Sequence, residues 1–575
     1  MPRASLAPLL FVITASAHAQ NWPQWGANAQ HDSSTTVVAR AIDHIEQQVV
    51  IDPLADQIET LSGGFLIAHY PVPVIDGDDV VVLRKGGTLT AFATRDSQSW
   101  SVVGMRRVNG QLIDRWKYES DWKPVPWGSA SWEPVYHPIV SGEFVWAPGA
   151  GGTIDQLDRN SGALIRRVNP FGTLDSTIFM SGPPAADANG NIYYNAIQFN
   201  LTGPWTIDPE NSWLVRIGAN GSMSKATFAS LTPSAPRSSD LCLLTFSNDD
   251  LPWPPSRDAV PASARCGAQR PGINVAPAIA PDGTVYTISR AHFNSRYGYL
   301  VAVNADLTAK WTASMRNRLH DGCDVALPQS GLPGGCRAGS LRGVDPADNE
   351  PGSGNVSDTS SASPVVTPDG KILYGSYTRY NYAQGHLLMF DASGNFVAAY
   401  GWGWDVTPAI YRHGTTYSII LKENHYSLGS YCNNPTFCPP DRTETAPNDP
   451  EQFFIVQLDA SLLPEWRFKN TNTESCERQT DGSLVCMSDH PHGFEWCVNA
   501  VAVDGRGVVY ADSEDGNLYA IAQGGTLAQR LFLRVALGAA YTPTSIGPDG
   551  RVYTQNDGVM FVINQNPKRR AVRTR

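Results

Sequence analysis

Apolar residues in this chain come in runs too short for helices, broken repeatedly by glycine and proline. The clearest case is Val275-Ala-Pro-Ala-Ile-Ala-Pro-Asp-Gly-Thr-Val-Tyr286, two apolar segments joined by a Pro-Asp-Gly turn. Proline presets the first turn residue and glycine accepts the left-handed one, so the stretch predicts a tight β-hairpin. Related copies span Val72–Val81, His137–Trp146, Pro183–Tyr193, Ser363–Tyr374, Thr407–Tyr417, Asn499–Tyr510 and Thr542–Tyr553. Their anchor positions are 73, 138, 184, 277, 364, 408, 500 and 543. The closest anchors are 43 residues apart, enough for four short strands per unit, and the wider gaps imply insertions.

A second half-repeat follows most copies. Gly298-Tyr-Leu-Val-Ala-Val-Asn-Ala-Asp306 leads to Trp311, Gly385-His-Leu-Leu-Met-Phe-Asp-Ala-Ser-Gly394 repeats it, and Phe454 to Ser461 leads to Trp466. Gly152 to Gly162 and Gly516 to Gln523 are further copies. Two hairpins per unit make a four-stranded antiparallel blade. Eight units closed in a ring make an all-β, eight-bladed β-propeller. The last unit runs out after Gly558-Val-Met-Phe-Val-Ile563, so an outer strand from within Thr35 to Ile58 is expected to complete it and cover the open sheet edge.

The G-x-L-x-A-x-D-x-x-G-x-x-x-W half-repeat resembles that of the pyrroloquinoline-quinone (PQQ) type propellers, the quinoprotein alcohol dehydrogenase-like superfamily. Trp22-Pro-Gln-Trp-Gly-Ala-Asn-Ala-Gln-His31 is similar to the opening of those proteins. The resemblance implies an eight-bladed fold over nearly all of residues 20–566. It leaves function divided, since the superfamily holds both cofactor-dependent dehydrogenases and cofactor-free scaffolds.

Composition narrows this picture. Only 17% of the 575 residues are charged, against 51 Gly and 42 Pro, which suits strands and turns. Arg3, the apolar run Leu6 to Ala17 and Ala17-His18-Ala19 before Gln20 read as a secretory signal over residues 1–19. No later apolar run reaches the length of a membrane span, so a periplasmic or extracellular protein is expected. The net charge of −11 speaks against nucleic acid as a partner. The basic stretch 567–575 reads as a frayed end.

All nine cysteines lie in or beside the long insertions 231–274, 314–361, 424–451 and 469–497. Export favours disulfides, with neighbour pairing Cys242–Cys266, Cys323–Cys336, Cys432–Cys438 and Cys476–Cys486, though Cys497 competes for the last pair. Strand alternation puts every short Asp-Gly-type turn on one face of the ring and every insertion on the other. The decorated face is therefore the expected binding face for a small molecule, a glycan or a protein. Residues at its mouth are His69, Tyr70, Tyr136, His137, Trp402, Trp404, Asp405 and Trp496 ahead of innermost strands. Arg290, His292, Arg379, Tyr380, Lys422, Glu423 and His425 end second strands.

These residues are open to three readings. PQQ with Ca²⁺ would stack on Trp402 or Trp404, place its carboxylates on Arg290 or Arg379, and use Asp405 or Glu423 as oxygen ligand or base. Neither an adjacent Cys-Cys pair nor a C-x-x-C-H haem motif accompanies that set. His69, His137, His292 and His425 as metal ligands, or Tyr136 with His137 as an acid–base pair, would suit a polysaccharide lyase or hydrolase. A binding or scaffold module without catalysis accommodates every observation and is the reading adopted.

Overall fold

The computed structural model describes residues 21–125, 132–199, 207–244, 260–320, 344–345, 350–378, 384–401, 406–425, 452–496, 498–538 and 542–566. Eight antiparallel sheets follow one another as the predicted blades. Blade 4 shows the pattern: Ala278–Ile279 innermost, then Val285–Ala291, Asn294–Val303 and Ala309–Ser314. Its first turn is the Pro-Asp-Gly hairpin, with Gly283 at φ +84° and the Asp282 carboxylate accepting the Thr284 N–H at 2.9 Å. Blade 8 is completed by His44–Val50, which pairs with Val559–Asn564 inside the expected window.

The core lies between blades, and both faces of most strands are covered. Between blades 4 and 5, Tyr286, Ile288 and Leu300 pack on Val366, Ile372, Tyr374 and Phe390, all buried. Equivalent layers fill the other gaps, and the layer around Ile75, Tyr510 and Phe561 joins blades 7, 8 and 1. The repeat's tryptophan and glycine serve this stacking. Trp311, at the outer edge of blade 4, donates its indole N–H to the Ala392 carbonyl of blade 5 at 2.9 Å, and its ring fills the space over Gly394. Trp116 does the same for blade 2, donating to the Arg159 carbonyl at 3.0 Å over Gly162. A Cβ on Gly162 would fall 2.4 Å from the Trp116 ring, so the glycine is required by its neighbour's tryptophan.

Residues 22–40 thread round the plain end of the ring and bond every blade in turn. Trp22 and Ile75 exchange backbone hydrogen bonds at 2.8 and 2.9 Å, and the Pro23 carbonyl accepts the Val140 N–H at 2.8 Å. The Gln24 side chain meets the Ala186 N–H at 2.7 Å. Ala29, Gln30 and Asp32 carbonyls accept the N–H groups of Ile279, Val366 and Ile410, and Ser33 and Thr35 pair with Val503. Arg40 donates to the Gly550 carbonyl at 2.7 Å. This belt satisfies inner-strand backbone groups that would otherwise face an empty channel.

The insertions end in small two-stranded units on the opposite face: Leu241–Leu243 with Ser263–Arg265, Val344–Asp345 with Glu350–Pro351, and Glu474–Arg478 with Leu484–Ser488. Disulfides Cys242–Cys266 and Cys476–Cys486 brace the first and third. Cys323, Cys336, Cys432, Cys438 and Cys497, the segment 1–19 and the tail 567–575 lie outside the described residues. No helix among the described residues is long and apolar enough to cross a membrane.

Candidate functional site

In blades 3, 4 and 5 the innermost strand is split. Gln269–Pro271 pairs with the mouth end of Val285–Ala291 and Ala278–Ile279 with its other end, so residues 272–277 loop out between them. Gly354–Asn355 and Val365–Val366 leave the same kind of loop in blade 5. Asn274, buried at φ +66°, ties these loops together: its side chain accepts the Val135 N–H at 2.9 Å and donates to the Ser360 carbonyl at 3.1 Å.

Between blades 4 and 5, beside the blade 5 loop, lies a cavity of 370 Å³. Its charged wall is Arg270, Arg290 and Asp358, and Asn355, Ser357 and Tyr377 add polar groups. Asp358 accepts from both Nη atoms of Arg270 at 2.9 and 2.6 Å and from Arg290 Nη1 at 2.9 Å. Arg290 is further held by the Val356 and His292 carbonyls at 2.9 and 3.1 Å. Burial pushes the Asp358 carboxyl up, but the two guanidiniums outweigh it and hold it well below the usual carboxylate range. Burial, helped by Arg270, pulls Arg290 down to about 10. Among the described lining residues two cations therefore face one anion.

His292 lines the same cavity as a neutral ring. Arg270 Nε donates to its Nδ1 at 2.9 Å, and burial plus both arginines brings it to about 2. Of the sequence candidates, Arg290 and His292 thus meet in one place. His69 lies deeper, its Nδ1 donating to the Glu133 carbonyl at 2.8 Å, with the Thr359 backbone and the Lys422 charge also beside it. Burial lowers it to about 4. Tyr70 donates to Asp52 at 2.9 Å in a buried network where Lys85 bridges Asp52 and Glu133 at 2.7 and 2.9 Å.

The remaining candidates serve blade contacts. Glu423 accepts from Tyr400 of blade 5 at 2.6 Å, from Arg467 at 3.1 Å and from His425 at 2.7 Å. Trp496 is buried against Tyr519 at 5.1 Å, and Tyr136 against Trp122 at 5.1 Å. His137 packs on Trp25 of the belt at 5.8 Å, where burial lowers it to about 3. Arg379, Tyr380, Trp402, Trp404 and Asp405 lie outside the described residues.

His69, His137, His292 and His425 do not gather round a point. Among the described residues, the groups of three ligand atoms within 4.8 Å of one another are Glu474–Cys476–Cys486, where both sulfurs are in the disulfide, and Asp56–Glu59–Asp557. A quinone with calcium would need an oxygen-rich cluster at the mouth. The one carboxylate among the described lining residues, Asp358, is closed between two guanidiniums, so these residues do not fit that pair.

Arg270 and Asp358 were not among the sequence candidates. Arg270 sits in the first segment of its split innermost strand and Asp358 in the loop between the two segments of its own, seven and six residues before the anchor prolines, Pro277 and Pro364.

Fold and mouth together define the class: an eight-bladed β-propeller belted at one end and built up at the other. No family model matches the chain, and no curated protein matches it by sequence. Among solved structures it is similar to a europium-containing methanol dehydrogenase (TM-score 0.48, 10% identity, covering 94% of this chain and 89% of that one). It is also similar to the quinohemoprotein alcohol dehydrogenase from Comamonas testosteroni (TM-score 0.49, 10% identity, 96% and 82%). BamB from Moraxella catarrhalis is a further match (TM-score 0.30, 11% identity, 90% and 86%).

Proposed function

We propose that this chain is an exported binding module that takes an anionic small molecule, a carboxylate or an acidic sugar, in the cavity between blades 4 and 5. The observation that supports it is the surplus charge of Arg270 and Arg290 over Asp358 in the cavity wall. Buried guanidiniums present donors in a fixed fork suited to oxyanions. Hydroxyl and amide groups of Ser357, Thr359 and Asn355 add partners for a polyhydroxy ligand. The belt closes the plain end, so the decorated mouth is the open approach. The two disulfides and the signal-like start favour export.

Calorimetry with galacturonate, citrate and neutral galactose tests this. The two anions are expected to bind and galactose is not. Arg290→Gln should weaken anion binding by about tenfold, the loss of one charge-assisted contact. Equal affinity for galactose and galacturonate, or unchanged affinity in the variant, would sink the reading.

A further inference from the structure

We propose that the outer edge of Leu484–Ser488 docks an extended, basic and apolar segment of a partner protein as an added β-strand. The inference is independent of the cavity between blades 4 and 5.

The hairpin's own register decides which backbone groups are free to pair. The Gln479 N–H to Ser483 carbonyl bond, at 2.9 Å, fixes the alternation of bonded and non-bonded pairs down the ladder. Cys476 and Arg478 then turn their backbone outward on one side, and Leu484, Cys486 and Ser488 on the other. The first edge is taken: Arg478 N–H donates to the Arg534 carbonyl at 2.8 Å and Ala536 N–H to the Cys476 carbonyl at 2.9 Å. The second edge carries no backbone hydrogen bond from any described residue. An exposed apolar edge is a template for another strand.

The side chains say what that strand should look like. Leu484, Val485 and Met487 are 46%, 61% and 65% exposed, unusual for three apolar residues within four positions. The Cys476–Cys486 disulfide cross-links the two strands of the hairpin that carries them. On the face that carries Val485 and Met487, a groove of 290 Å³ runs across the hairpin to the segment paired with its first edge, lined also by Val535, Leu537, Glu477 and Asp489. Glu474, Glu477, Asp481 and Asp489 ring the hairpin against one cation, Arg478. That cation is turned inward onto the Phe532 and Leu533 carbonyls at 3.1 Å each. The outward charge is therefore acidic. A second copy of the same edge would set acid against acid, which disfavours self-pairing. A strand alternating apolar residues with Lys or Arg satisfies the edge, extends the apolar face of Val485 and Met487, and meets the acids.

The test uses the oxidised full-length protein and three nine-residue probes: alternating Val-Lys, alternating Val-Glu, and Val-Lys N-methylated on alternate amides. Fluorescence anisotropy measures affinity, and amide hydrogen exchange reports on Leu484, Cys486 and Ser488. Val-Lys is expected to bind about tenfold or more tighter than either other probe and to slow exchange at those three amides. Val485→Lys and Met487→Lys, both at exposed positions, should each weaken it by about tenfold while the protein's melting temperature stays put. Equal binding of Val-Glu, protection elsewhere, or unchanged affinity in both variants overturns the proposal. So does concentration-dependent dimerisation that is lost in the lysine variants, which would assign the edge to a second copy.

Discussion

Two buried carboxylates show how position sets chemistry at the scale of single residues. Asp358 has two guanidiniums and stays ionised; Asp512 has the Thr542 and Thr554 hydroxyls and the Gln555 backbone, and burial outweighs them and raises it to about 7. A raised carboxyl contributes stability that is complete below its ordinary value near 3.8 and is lost as pH rises towards 7. Asp512→Asn should therefore stabilise the fold at pH 8, by roughly 2–4 kcal/mol, and do little at pH 4. Urea melts at the two pH values check this; equal effects at both would show that Asp512 is not protonated in the fold. Asp358→Asn should act in reverse. Removing that carboxylate takes its negative charge from beside both guanidiniums in the cavity wall, costing about 3–5 kcal/mol. The same change should tighten anion binding, which separates an electrostatic role from mere loss of fold.

At the scale of elements, the repeat was readable because its spacing is enforced by contacts between neighbours. The Pro-Asp-Gly turns need glycine for conformation, and Gly394 and Gly162 need it for the tryptophan ring of the previous blade. Gly394→Ala puts a Cβ 2.7 Å from the Trp311 ring at φ +85°, and should cost about 1–3 kcal/mol. In a Trp311→Ala background the steric part of that cost should vanish while the left-handed strain remains, which a double-mutant cycle in thermal melts would read. The closing strand and the 242–266 and 476–486 disulfides were legible for like reasons: an unfilled blade and short cysteine spacings. The mouth was not. Arg270 and Asp358 reach it because inner strands split, and nothing in a run such as Ser357-Asp-Thr-Ser-Ser361 marks a loop inside a strand. Glu423 and Trp496 were placed at the right end of their strands, but strand alternation turned them into the gaps between blades.

For the molecule as a whole, the belt is what converts a ring into a one-ended vessel. Residues 22–40 form no strand ladder of their own, so their order depends on bonds to all eight blades and on what they bury. Trp22, Trp25 and His31 are buried in it, and His31 Nδ1 donates to the Pro364 carbonyl at 2.8 Å. Burial outweighs that bond and lowers His31 to about 4, while its neighbour His137 sits at about 3. A histidine held neutral contributes stability that is complete above its ordinary value of 6.5 and is lost as pH falls towards the folded value. Each such ring costs up to about 1.4 kcal/mol per pH unit in that window. Acidification from pH 7 to pH 4.5 should therefore loosen the belt before the second and third strands of the blades, which are paired on both sides. Hydrogen exchange should show residues 22–40 gaining exchange over that range while Val285–Ala291 keeps its protection. His31→Asn, which retains a donor for Pro364 but cannot take up a proton, should flatten the belt's pH dependence. If the variant's belt opens along the same pH curve as the parent, the histidines do not control it.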